Sequence, residues 1–218
     1  MPRFVVCLVI LFAALLLGGC ATFADLLPAG PVTPIPPDRV VVFGKIEHKW
    51  EQQYGSSGTS NGMFGFLKIL PSRLADSWQK KTFIGHLPAN DALSIHISTG
   101  SDFYVLLPRE NYLFETLNFS FLTTHEIICR NFGFRVPPAA AVYVGTLVFH
   151  EKEKGFLFTA RSTTLSVLDE YEQAVRRLRA RNPGLQGPVA RSLFRHEPFL
   201  DPQALECRTR KGGFLLLR

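Results

Sequence analysis

Apolar residues fall along the chain in three regimes. Phe4 to Leu17 is an almost unbroken apolar run, residues 21 to 38 are interrupted by Pro28, Pro31, Pro34, Pro36 and Pro37, and from Val40 short apolar stretches alternate with turn residues. The third regime predicts strands. Val40 to Glu47 opens on a β-branched run, Met63 to Leu70 is apolar up to Pro71, and Leu93 to Ser98 alternates with a period of two. Phe103 to Leu107 and Tyr112 to Phe121 are separated by a hairpin-like break at Pro108 to Asn111, and Glu126 to Val136 stops at Pro137-Pro138. Ala141 to His150 and Gly155 to Thr164 flank a charged turn, Glu151 to Lys154, and form the clearest hairpin. Gln52 to Gly62 is polar and glycine-rich and reads as a flexible loop. The spacing predicts a mainly β fold, an antiparallel β-sandwich of about eight strands.

One helix is predicted near the end, over about residues 168–182. Tyr171, Ala174, Val175 and Leu178 form one apolar stripe, and Asn182-Pro183-Gly184 terminates it. Asp169 and Glu170 stand at its start and Arg176, Arg177, Arg179 and Arg181 crowd its end, as the helix dipole prefers. Those arginines read first as a solvated face and second as a contact for an anionic ligand. Residues 188–218, with Phe214 to Leu217, show no clear period and read as a final strand or a tail.

The first regime addresses the chain. Arg3, the apolar run and Gly18-Gly19 follow the order of a secretory signal peptide, and the run is too short to cross a hydrocarbon core of about 20 residues. Residues 1–19 are therefore expected to be cleaved. Leu17-Gly18-Gly19-Cys20 resembles the lipobox of bacterial lipoproteins, which implies a diacylated Cys20 as the mature N-terminus. Two or more acyl chains anchor stably where one does not. Ala21 in place of an aspartate favours the outer membrane, so the expected location is the bacterial cell envelope, lipid-anchored and facing the periplasm. Residues 20–38 then read as a lipidated cysteine and proline-rich tether, extended by about 3.1 Å per residue. The domain proper is 39–218.

Charge and cysteines refine this picture. Arg3 is the one charged residue of the leader, so the formal charge falls from +6 to +5 on cleavage. That diffuse excess suits anionic envelope partners and gives no argument for nucleic acid. Cys7 leaves with the leader and Cys20 is acylated, which leaves Cys129 and Cys207. In an oxidising compartment they are either a disulfide or two separate buried thiols. A bridge would close a loop of nearly eighty residues.

Two segments carry a family resemblance. Phe103-Tyr104-Val105-Leu106-Leu107-Pro108 followed by Asn111-Tyr112-Leu113-Phe114 resembles the strand–turn–strand signature of transthyretin-like, or carboxypeptidase-regulatory-like, sandwiches, with Asn111 where glycine is usual. Val142-Tyr143-Val144-Gly145-Thr146-Leu147 is similar to a strand of uncharacterised bacterial lipoproteins. The resemblance spans roughly residues 93–165 and implies a sandwich that serves as an accessory, assembly or binding module.

Reactive constellations are sparse. Gly58-Thr59-Ser60-Asn61-Gly62 matches the G-x-S-x-G pattern, but the residues before it have loop composition where a nucleophile elbow needs a strand. His48, His86, His96, His125, His150 and His196 include no pair with helical zinc spacing, and His96 is expected on the solvent face of its strand with Ser94 and Ser98. Glu47, Asp91, Asp102 and Glu115 mark no catalytic pair. The sequence therefore assigns no catalytic residue, metal ligand or cofactor. It predicts a membrane-anchored, non-enzymatic binding or assembly module with an envelope protein or glycan partner. The alternatives are a serine hydrolase of envelope lipid or glycan, using Ser60 and a histidine, and a purely structural envelope protein.

Overall fold

The computed structural model describes residues 22–30, 34–52, 56–72, 92–120, 124–129, 132–154, 160–196 and 207–212. The expected leader, Cys20, His86, Asp91 and Phe214 to Leu217 lie outside them.

Two fourteen-residue strands, β3 (Arg39–Gln52) and β11 (Ala141–Lys154), run side by side and parallel. The sequence explains the position. Val40 to Phe43 and Ala141 to Val144 are continuous apolar runs, as strands covered on both faces require. On one side of the pair stand β12 (Ala160–Leu168) and, in parallel, β13 (Val189–Arg191). On the other stand β4 (Ser57–Ser60), β7 (Asp102–Pro108) and, beyond β7, β2 (Asp25–Leu26).

A second sheet has the order β1 (Thr22–Phe23), β6 (Leu93–Ser98), β5 (Phe64–Pro71), β8 (Tyr112–Ser120), β10 (Phe132–Phe134), β14 (Arg195–His196). From β8 it branches through β9 (Thr124–Cys129) to β15 (Cys207–Gly212). One apolar cluster joins the sheets. Val42, Val105 and Val144 of the first meet Leu67, Ile95 and Phe114 of the second. The helix α1 (Tyr171–Arg181) packs on the opposite face of the first sheet, where Ala174 and Leu178 meet Val41, Phe43, Tyr104 and Tyr143.

The protein is thus mainly β with one helix among the described residues, as the sequence predicts, but the sheets are not purely antiparallel. The pairs β3–β11, β11–β13 and β1–β6 are parallel. Four local expectations are also corrected. Glu151 to Lys154 continue β11 rather than turning, paired with β12 as far as Lys154–Ala160. Ser57 to Ser60, expected in a loop, pair with Glu51 to His48 as β4. The segment Glu126 to Val136 contributes two strands, β9 and β10. The break after Pro108 is no hairpin, because β7 and β8 belong to different sheets. The Tyr112 hydroxyl closes that crossing by donating to the Pro108 carbonyl at 3.0 Å.

The proline-rich segment is also more than a spacer. Its first residues form β1 and β2, Leu27 is 1% exposed, and the Leu27 amide donates to the Tyr104 carbonyl. Buried Asn182, at the end of α1, donates from Nδ2 to the carbonyls of Pro28 (2.8 Å) and Gly30 (3.2 Å). The segment therefore straps the helix terminus, because carbonyls of a proline-interrupted chain still need donors when buried.

Candidate functional site

The outer face of the first sheet changes character halfway along β3 and β11. The helix covers the half built from Val41, Phe43, Ala141 and Tyr143. Beyond it, β3 reads Lys45-Ile46-Glu47-His48-Lys49-Trp50-Glu51, an alternation that keeps Ile46 in the core and sets Lys45, Glu47, Lys49 and Glu51 on the other face. This half is flanked by β4 and β12, so four strands carry a polar face that the helix leaves uncovered.

A bulge makes the switch. The β3–β11 register shifts between Tyr143 and Thr146, and Gly145 there has φ of 101°, a conformation that L side chains rarely adopt. A Cβ on Gly145 would also stand 2.6 Å from Val167 Cγ1. The displaced strand brings Thr146 Oγ1 within 2.7 Å of Glu170 Oε2, and the Tyr143 hydroxyl receives the Glu170 amide at 3.0 Å. The Tyr-Val-Gly-Thr sequence thus binds the start of α1 and marks where its cover ends.

On the uncovered face, charges pair along and across strands. Lys45 Nζ lies 2.6 Å from Glu47 Oε1 and Lys49 Nζ 3.8 Å from Glu47 Oε2, while Lys152 Nζ lies 2.9 Å from Glu51 Oε2. The hydrogen bond and charge of Lys152 hold the exposed Glu51 carboxyl below its usual range. A cleft of about 290 Å³ opens here, lined by Lys49, Glu51, Ser57, Thr59, His150 and Lys152, together with Trp50, Gly58 and Glu151 of the same strands. Gly58 admits the Trp50 ring, which a Cβ would approach to 2.9 Å. Hydroxyls, ammonium groups and carboxylates thus surround a shallow cavity, while Trp50 and Glu151, which also line it, alternate to the opposite face of their strands.

At the core side of the same strands, His48 Nε2 lies 3.2 Å from Glu151 Oε2, with side chains 15% and 10% exposed. His48 also faces Ser60 across the β3–β4 ladder. The G-x-S-x-G match itself is not an elbow. Ser60 ends a strand, and Gly62, with φ of 76°, leads into β5 rather than a helix.

The four arginines do not form one anion site. Arg177 donates to both oxygens of Asp102, at 2.7 and 3.0 Å. Arg179 donates to the carbonyls of Leu185 and Gly187, and Arg181 donates to the Leu27 carbonyl and stands 4.9 Å from the Tyr104 ring centroid. Only Arg176 of the four is given no such role, and it is exposed. Three of the four arginines are thus engaged within the fold, while Ser57, Gly58 and Thr59 of the polar segment Gln52 to Gly62 line the cleft. The informative signal was the charged alternation of Lys45 to Glu51 facing His150 to Lys152.

The remaining expectations are placed as follows. His96 is exposed, as predicted, and its ring stands 4.7 Å from Phe66. Ser94, on the same face by alternation, is buried. His125 and His196 lie on β9 and β14. Cys129 and Cys207 pair in register across β9 and β15. Among the described residues no group of three His, Cys, Asp or Glu side chains gathers to hold a metal, and no helix is long and apolar enough to cross a membrane.

A second cleft of about 430 Å³ lies by Ile35, Arg109 and Leu185. Arg109 is committed there to the carbonyls of Pro37 and Ala139, both at 2.8 Å. Compared with protein-family models, curated proteins and solved structures, the chain gives no match.

Proposed function

We propose that this is a lipid-anchored envelope protein whose uncovered β3–β4–β11 face binds a glycan without chemically altering it. The observation that carries the reading is the polar cleft at Lys49, Ser57, Thr59, His150 and Lys152, lined also by Trp50. Protein interfaces centre on desolvated aromatic or arginine anchors, whereas this cleft is lined mostly by hydrogen-bond donors and acceptors. A hydroxyl-rich chain fits such a lining, where Lys49 and Lys152 stand with Glu51 and Glu151. The two sheets act as halves of a sandwich, which is the architecture the transthyretin-like resemblance implies.

The anchor belongs to the same proposal. Acyl chains on Cys20 would hold the fold at the outer membrane on its periplasmic side. Thr22 already lies in β1, so the connection spans no more than about 3.6 Å per residue and the domain rides close to the bilayer. Sedimentation of the full-length protein in detergent with insoluble cell-wall glycan tests the binding. Wild type should co-sediment and Lys49→Ala/Lys152→Ala should remain in solution; equal pelleting of the two, or none of either, sinks the reading.

One arrangement favours a second reading. His48 is the ladder partner of Ser60 and contacts Glu151, so the register sets a hydroxyl, an imidazole and a carboxylate at neighbouring positions. This supports a hydrolase of envelope lipid or glycan esters acting through Ser60. A fluorophosphonate probe separates the readings, because the hydrolase should be labelled at Ser60 and the binding module should not.

A further inference from the structure

We propose that Cys129 and Cys207 are joined by a disulfide that fastens β15 to β9. The ladder between these strands runs for six consecutive facing pairs, from Gly212–Thr124 to Cys207–Cys129. The two cysteines are thus each other's partners at its end, although 78 positions separate them in sequence. Facing residues of antiparallel strands have Cα atoms about 4.5 or 5.5 Å apart, depending on their place in the hydrogen-bond pattern. Disulfides span Cα separations of about 4.4 to 6.8 Å. Both Cα separations fall within that range, the closer, non-hydrogen-bonded kind also bringing the Cβ atoms nearest, and a slip of one residue would remove the match.

The composition of β15 is a second, independent reason. Cys207-Arg208-Thr209-Arg210-Lys211-Gly212 carries three cations and no aliphatic or aromatic residue. A strand so poor in apolar surface gains little from burial and would hold the sheet edge by backbone bonds alone. A covalent link at its first residue converts that weak docking into an intramolecular constraint. Pairing also takes up both cysteines that remain once Cys7 and Cys20 are assigned to the leader and the lipid.

The chemistry is thiol–disulfide exchange. The Cys129 thiolate attacks a disulfide oxidant, such as an oxidising thiol–disulfide protein or oxidised glutathione, forming a mixed disulfide and releasing one thiol. The Cys207 thiolate then displaces the second sulfur. Two thiols are oxidised, one disulfide is reduced, and the two thiol protons leave on the reduced oxidant. Only the supply of oxidant rests on the export reading.

The test uses full-length protein isolated from membranes, alkylated with iodoacetamide without reduction, and digested with trypsin. Mass spectrometry should find peptides 110–130 and 196–208 as one linked species that separates on reduction. Alkylation of both cysteines in a chain that begins at acylated Cys20 overturns the proposal, as does a linkage of either cysteine to a second chain. A chain that retains residues 1–19 with bare Cys20 overturns the export reading instead. That chain is then treated with oxidised glutathione, where linked peptides support the disulfide and alkylated peptides overturn it.

Discussion

Arg177 of the helix and Asp102 of the sheet form a two-pronged ion pair, with Nε 2.7 Å from one carboxylate oxygen and Nη2 3.0 Å from the other. Tyr104 donates to the same carboxylate at 3.1 Å. Burial acts against the Arg177 charge, but the hydrogen bond and charge of Asp102 outweigh it and raise the arginine's pKa. The contact therefore clamps α1 to the sheet on the face that carries the cleft further along.

Asp102→Asn should destabilise the fold by about 1 to 3 kcal/mol, the range for a hydrogen bond to a charged partner in a half-exposed setting. Urea denaturation measures this as a lower midpoint with an unchanged slope. Arg177→Ala should act in the same direction, and the double variant should cost less than the two single losses combined, because the partners are coupled.

Alkaline pH should weaken the protein through Tyr104. Burial first, then the charge and hydrogen bond of Asp102, push this phenol up to about 12 from an ordinary 10. The folded state thus keeps a proton that the unfolded chain releases, so the contribution is complete below about pH 10 and disappears as pH rises toward 12. Spectrophotometric titration should show one tyrosine ionising late, and Tyr104→Phe should remove that step.

Gly145→Ala should cost about 2 kcal/mol or more, since it adds a strained φ to a collision with Val167. Tyr143→Phe should cost about 1 to 2 kcal/mol by leaving the Glu170 amide without the hydroxyl that accepts it. Thermal melts followed by circular dichroism report both.

Replacing Cys129 and Cys207 by serine should lower stability by about 4 kcal/mol in the chain-entropy description of a long closed loop. The wild-type melting temperature should fall with added reductant toward that of the double variant, which reductant should leave unmoved.

On the proposed lipid-anchored reading, membrane attachment should depend on Cys20. Cys20→Ala should move the protein from the membrane to the soluble fraction. Retention in the membrane would instead require a different anchor.

Much of this architecture was legible along the chain, and the failures have identifiable causes. The strict alternation of Leu93 to Ser98 and the stripe of Tyr171 to Leu178 are local signals, and both elements form where they predict. The parallel pairing of β3 with β11 was encoded in Val40 to Phe43 and Ala141 to Val144, whose unbroken apolar character asks for cover on both faces. Glu151 to Lys154 resembled a turn because four consecutive charged residues suit a loop, whereas the ladder to β12 carries them on as strand. Pro28 and its neighbours suggested a free spacer, while the donors that hold them come from Asn182 and Arg109, far away in sequence. The cleft was hidden for the same reason. Its walls come from β3, β4 and β11, and only long-range register brings Lys49 beside His150.

The most direct test is a nuclear magnetic resonance titration of the isotope-labelled full-length protein in micelles with soluble cell-wall glycan fragments. Amide shifts should concentrate at Lys45 to Glu51, Ser57 to Thr59 and His150 to Lys152, and saturate with added glycan. Shifts that gather around Arg109 and Leu185 or on the helix arginines, or a spectrum that does not change, would contradict the account.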